Sequence, residues 1–131
     1  MLKISDKDFE QKLSENISDP ERIIYIFEAN RNKNRWRYLV CVTNLRLLFL
    51  DKNDSREGVF YQAYWNDVLR LNIGYREEYR EKVKLLHIEG RRGAHSFTVF
   101  IGEDTSDDNW REFLEIVRRT IASVKIRECY G

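Results

Sequence analysis

Residues 31 to 37 read Arg-Asn-Lys-Asn-Arg-Trp-Arg, four cations in seven positions with no acid among them. Arg31, Lys33, Arg35 and Arg37, with Trp36 between the last two, can offer guanidinium forks and an ammonium group to phosphate or carboxylate oxygens. On a strand, alternation puts Arg35 and Arg37 on one face. Three occupants fit this chemistry: a phosphate-type ligand, an acidic protein partner, or solvent, with the cations merely paired to nearby acids on an exposed hairpin.

Other residues of chemical interest give weaker patterns. His87 and His95 flank Gly90-Arg91-Arg92-Gly93, and a symmetric hairpin would set them across from each other, with Glu89 on the face of His87. Zinc needs three or four ligands, so ordinary strand histidines are the expectation, with no metal and no cofactor. Phe60, Tyr61, Tyr64 and Trp65 could stack on nucleobases, but core packing accounts for at least one of their faces. Glu103, Asp104, Asp107 and Asp108 lack calcium-loop spacing and precede a helix, where acids favour the N-terminal dipole. Cys41 lies in an apolar run as a small core residue, and Cys129 is a free thiol near the C-terminus; two such cysteines do not form a disulfide framework. Without an activated serine or cysteine, the histidines have no nucleophile to serve. No catalytic residue is assigned, and a non-enzyme is expected.

The elements that must position the basic run can be read in order. Ser5-Asp6-Lys7-Asp8 resembles a capping box with Asp in place of Glu, and Phe9 and Leu13 share one face of a short helix that ends before Pro20. Ile23 to Phe27, Trp36 to Thr43, Leu45 to Asp51, Gly58 to Tyr64, Val68 to Ile73, Val83 to Glu89 and Ser96 to Ile101 are rich in β-branched and aromatic residues, the pattern of seven strands. The polar run 30–34 is the first turn, and Asn44 suits the next because it tolerates positive φ. Ser106-Asp107-Asp108 opens a helix expected to reach Val124. Its apolar positions Trp110, Phe113, Leu114, Val117, Ile121 and Val124 step by 3, 1, 3, 4 and 3, one helical face.

The chain has 131 residues, one domain by length, with 42% hydrophobic and 34% charged residues. A formal charge of +1 gives no bulk attraction for nucleic acid, which is disfavoured as a partner. The first residues lack a signal-peptide apolar core, and no run is long enough to span a bilayer, so a cytoplasmic protein is expected. The expected division is a lead-in over 1–20, a folded domain over 21–126 and a tail over 127–131. The fold class is mainly β (α+β): a seven-stranded antiparallel barrel or sandwich, capped by the C-terminal amphipathic helix and preceded by a short N-terminal helix.

Val42-Thr43-Asn44-Leu45-Arg46-Leu47-Leu48-Phe49 resembles the Thr-x-x-Arg-Leu-x-Phe element of bacterial pleckstrin-homology-like domains and the related GRAM domains. Trp65-Asn66-Asp67-Val68 matches the Trp-x-Asp-Val/Ile segment that often opens their fifth strand. The resemblance covers roughly residues 21–124 and implies a binding scaffold. In lipid-binding members the first hairpin carries a basic pattern that clamps phosphates, and Lys33-x-Arg35-x-Arg37 resembles its end. The expected function is therefore an interaction module that binds a protein partner or self-associates through the first hairpin or an open sheet edge. The alternative is a peripheral binder of anionic lipid or phosphate through the same hairpin.

Overall fold

The computed structural model describes residues 11, 13–31, 36–51, 59–78, 81–101 and 107–129. The strands are β1 (Ile23–Arg31), β2 (Trp36–Thr43), β3 (Arg46–Asp51), β4 (Val59–Tyr64), β5 (Val68–Glu78), β6 (Glu81–Gly90), β7 (Phe97–Phe100) and β8 (Lys125–Cys129). A 3-10 turn, Trp65–Asp67, separates β4 from β5, and the C-terminal helix spans Asp107–Thr120. The first four strands form one antiparallel sheet in sequence order; the second sheet runs β7-β6-β5-β8.

Several expectations need correction. The described residues hold eight strands rather than seven, and they form two separate four-stranded sheets, the sandwich of the two expected forms and not a closed barrel. The missed strand is β8, which runs parallel to β5 with Leu71 opposite Ile126 and Asn72 opposite Arg127. Its sequence, Lys-Ile-Arg-Glu-Cys, contains one aliphatic residue because an edge strand needs apolar groups only where it meets the core. Residues 127–129, set apart above as tail, belong to it. The helix also ends at Thr120, short of Val124. Ile121 and Val124 remain buried in the turn that follows, where Val124 N–H reaches the Ile121 carbonyl at 3.2 Å. The apolar spacing thus continues past the last helical residue.

The core lies between the sheets, with the helix closing one side of it. Phe27 from β1 meets Phe113 at 5.2 Å between ring centroids, and Trp110 stacks on Phe113 at 5.5 Å. Trp110, Phe113, Val117 and Ile121 are all buried, worth about 1.5–3 kcal/mol each as an upper estimate. Tyr38–Asp51 is apolar at nearly every position because its sheet is covered on both faces. Val40, Val42, Leu47 and Phe49 enter the central core. Cys41, Leu48 and Leu50 form a second cluster with Leu13, against which Ile17, Ile26 and Leu39 pack. The lead-in, helical at residues 13–16, therefore seals the outer face of the first sheet. The box at Ser5–Asp8 lies outside the described residues.

The β6–β7 connection shows why glycine opens it. A Cβ on Gly90 would stand 2.8 Å from the carbonyl oxygens of both Ala94 and His95, and Gly93 has φ +86°, a left-handed conformation that side chains rarely adopt.

Candidate functional site

The first hairpin has two chemically different ends. At the strand-linking end, Asn30 pairs with Arg37 and Arg31 with Trp36 across β1 and β2. Lys33 and Arg35 fall in the 32–35 link, outside the described residues. The register thus brings the backbones of Arg31, Trp36 and Arg37 together.

The opposite end carries the residues of the family-like motif, and they serve as a clamp. Thr43 Oγ1 donates to Glu21 Oε2 at 2.7 Å and accepts the N–H groups of Leu45 and Arg46. Arg46 grips both oxygens of Glu21, Nε to Oε2 and Nη2 to Oε1, each at 2.9 Å. It also donates to Gln62 Oε1 at 2.7 Å and to the Asn16 carbonyl at 3.0 Å, while its guanidinium lies over the Tyr64 ring at 5.7 Å. Asn44 closes the turn to the lead-in: its Oδ1 accepts from Arg22 N–H at 2.7 Å and its Nδ2 donates to the Pro20 carbonyl at 3.0 Å. Trp65 is buried and donates Nε1–H to the Thr43 carbonyl at 2.8 Å. Sequence reading missed Glu21, whose partners lie more than twenty positions away; no local pattern marks it.

The electrostatics follow from this packing. Burial pushes the Glu21 carboxyl up, but hydrogen bonds from Arg46 and Thr43, with the Arg46 charge, outweigh it and hold the group below its ordinary value. Burial, then the negative charge of Glu21, push the Cys41 thiol up to about 12. A buried thiol this weakly acidic is not a nucleophile at neutral pH. Burial and a 3.1 Å hydrogen bond to Glu112 raise Tyr25 to about 12 as well.

The other candidates separate. His87 does not face His95; the register sets it opposite Thr98, whose Oγ1 lies 2.8 Å from His87 Nδ1. The six residues 91–96 between β6 and β7 shift the pairing away from the symmetric hairpin expected above. His95 instead stacks on Phe97, and Phe97 on exposed Tyr61 at 5.3 Å. Glu89 accepts from Asn72 at 3.2 Å and lies 3.5 Å from Arg70. Among the described residues no three His, Cys, Asp or Glu side chains converge as metal ligands, and no helix is long and apolar enough to cross a membrane. Asp107 and Asp108 begin the C-terminal helix, whereas Glu103 and Asp104 lie outside the described residues. A shallow cleft of about 460 Å³ opens beside the clamp, lined by Arg22, Ile23, Ile24, Asn44, Thr120 and Ile121. Its Asn44 amide is used internally, and the Thr120 hydroxyl donates to the Ile116 carbonyl.

No protein-family model and no curated protein sequence matches the chain. Solved structures do. The hSac2 domain from human phosphoinositide phosphatase Sac2 is 15% identical, with TM-score 0.54 over 96% of this chain and 91% of that one. A DUF1696 family protein with a pleckstrin-homology domain, from Shewanella loihica PV-4, is 12% identical, with TM-score 0.57 over 90% and 94%. A pleckstrin-homology domain from Shewanella amazonensis SB2B is 14% identical, with TM-score 0.53 over 87% and 96%. Identities this low speak to fold and not to activity. With its two antiparallel-rich sheets and closing C-terminal helix, the chain has the pleckstrin-homology-like fold of these bacterial domains.

Proposed function

We propose that the protein is a non-enzymatic, cytoplasmic interaction module that binds a protein partner or a second copy of itself through Arg31, Lys33, Arg35, Trp36 and Arg37. The observation that carries this reading is the register Arg31↔Trp36 and Asn30↔Arg37. The paired backbones of Arg31, Trp36 and Arg37 lie at the end of β1 and β2 away from the Glu21–Arg46 clamp, and Lys33 and Arg35 fall between them in sequence. Guanidinium groups are suited to the carboxylates of a partner. The charge-reversed variant R35E/R37E should lose protein captured from lysate, or self-association measured by light scattering, while its circular dichroism stays that of the parent. Unchanged capture and unchanged mass would remove the hairpin as the site.

A second reading, peripheral binding of anionic lipid through the same hairpin, is favoured by one neighbour, the domain of a phosphoinositide phosphatase. It requires sedimentation with anionic liposomes at low salt that fades as salt rises. No sedimentation at low salt would end it.

A further inference from the structure

Strand β8 completes a charged face that the first seven strands only begin. The register aligns Arg127 with Asn72, Asn72 with His87, and His87 with Thr98. These four residues form one row across all four strands of the second sheet, about 14 Å long at roughly 4.8 Å per strand. They alternate with Leu71, Ile73, Leu86 and Ile88, which are buried in the core, so the row faces outward. Beside it runs a second row, Lys125 next to Arg70 and Arg70 next to Glu89. Lys125, Arg127 and Thr98 are exposed; Arg70, Asn72, His87 and Glu89 are half-buried. Among the described residues nothing covers this face: Leu13 and Ile17 lie on the other sheet, and the helix lies on the core side.

The face holds more donors than its own acceptor can use. In these two rows three cations meet one carboxylate, and Glu89 takes a hydrogen bond from Asn72 and a 3.5 Å contact from Arg70. Among the described residues no ion pair engages Lys125 or Arg127. We propose that this outer face binds an acidic segment of a partner protein. Arg70, Lys125 and Arg127 pair its carboxylates, and Asn72, His87 and Thr98 supply hydrogen bonds. The proposal rests on the reading of the chain as an interaction module and adds a second surface to it. An extended acidic segment is favoured over a polyphosphate or an anionic bilayer because its side chains reach one face only at every second residue, roughly 7 Å apart, and can straddle Glu89, whereas the other two set unbroken negative charge against it.

The test uses a fluorescein-labelled hexaglutamate peptide and the full chain, read by fluorescence anisotropy at low and at physiological salt. The parent should bind at low salt and weaken as salt rises. K125E/R127E should bind about tenfold or more weakly, with two attractions turned into repulsions. The neutral K125Q/R127Q, which tests charge with least disturbance of the strand, should fall between them. R35E/R37E separates this proposal from the hairpin reading. If R35E/R37E loses the peptide while K125Q/R127Q and K125E/R127E keep it, this face is not a site and the hairpin reading stands. Binding unaltered in the β8 variants, or a parent that binds phosphatidylserine vesicles through Lys125 and Arg127 but not hexaglutamate, overturns the proposal. Loss in the β8 variants alone supports it.

Discussion

Arg46 is the residue whose removal tests the clamp most directly. Its side chain is 13% exposed and that of Glu21 8%, so neither charge relies chiefly on water. Replacing Arg46 with methionine keeps much of the stem packing but strips both bonds from Glu21 and the donors to Gln62 and Asn16. Breaking a buried pair by deleting one partner costs about 3–5 kcal/mol. The retained Thr43 bond to Glu21 and the edge position argue for the lower end, about 3 kcal/mol. Glu21→Gln leaves the guanidinium an amide oxygen at that position and its bonds to Gln62 and Asn16, and should cost less, about 1–2 kcal/mol. The double variant should be less destabilised than the sum, because the Arg46 loss is chiefly the penalty of a stranded carboxylate. Urea denaturation of the four proteins gives the cycle. Acid provides an independent check with a definite sign. The folded carboxyl sits below its ordinary value, so its contribution is complete above that ordinary value and fades as pH falls through the lower folded one. The gap between parent and R46M should therefore narrow on acidification, because protonation removes the stranded charge in the variant first. A loss under about 1 kcal/mol at neutral pH, or a gap that widens in acid, would refute the clamp.

Two further expectations concern groups that burial holds neutral. In a Cys129→Ser background, Cys41 should resist thiol reagents, since its acidity is pushed to about 12 under the cover of Leu13. Leu13→Ala should destabilise by about 2 kcal/mol and speed labelling of Cys41 at least several-fold; an unaltered rate would mean the lead-in does not shield it. Tyr25, raised to about 12, should ionise later than ordinary phenols. Its neutral form is the favoured one in the fold, so its contribution is present below about pH 10 and is lost as pH rises through about 12. The parent-minus-Y25F absorbance titration should show that late step, and a step near 10 would contradict it.

The legible parts of this fold are those where burial writes a period into the sequence. The helix is clear because Trp110, Phe113, Leu114 and Val117 must all face the sheets, and all are buried. The central hairpin is clear because Cys41, Leu48 and Leu50 are needed under the lead-in while Val40, Val42, Leu47 and Phe49 are needed in the core. Strand β8 is obscure for the opposite reason: its only half-buried aliphatic is Ile126, while Lys125 and Arg127 face solvent. Its parallel pairing to β5 is a long-range fact that no local window contains. The same limit misled the histidine reading, because one shifted register exchanged His95 for Thr98 opposite His87.

The most recognisable motif supplies structure more than binding. Thr43, Asn44, Arg46 and Trp65 spend their polar groups on Glu21, Arg22, Asn16 and one another. Binding chemistry has to come from groups not already committed to such a clamp. The two surfaces proposed for binding are the basic run 31–37 and the outer face of the second sheet. Arginine and lysine serve a solvated surface as readily as a binding one, so charge reversal, and not residue pattern, separates the two.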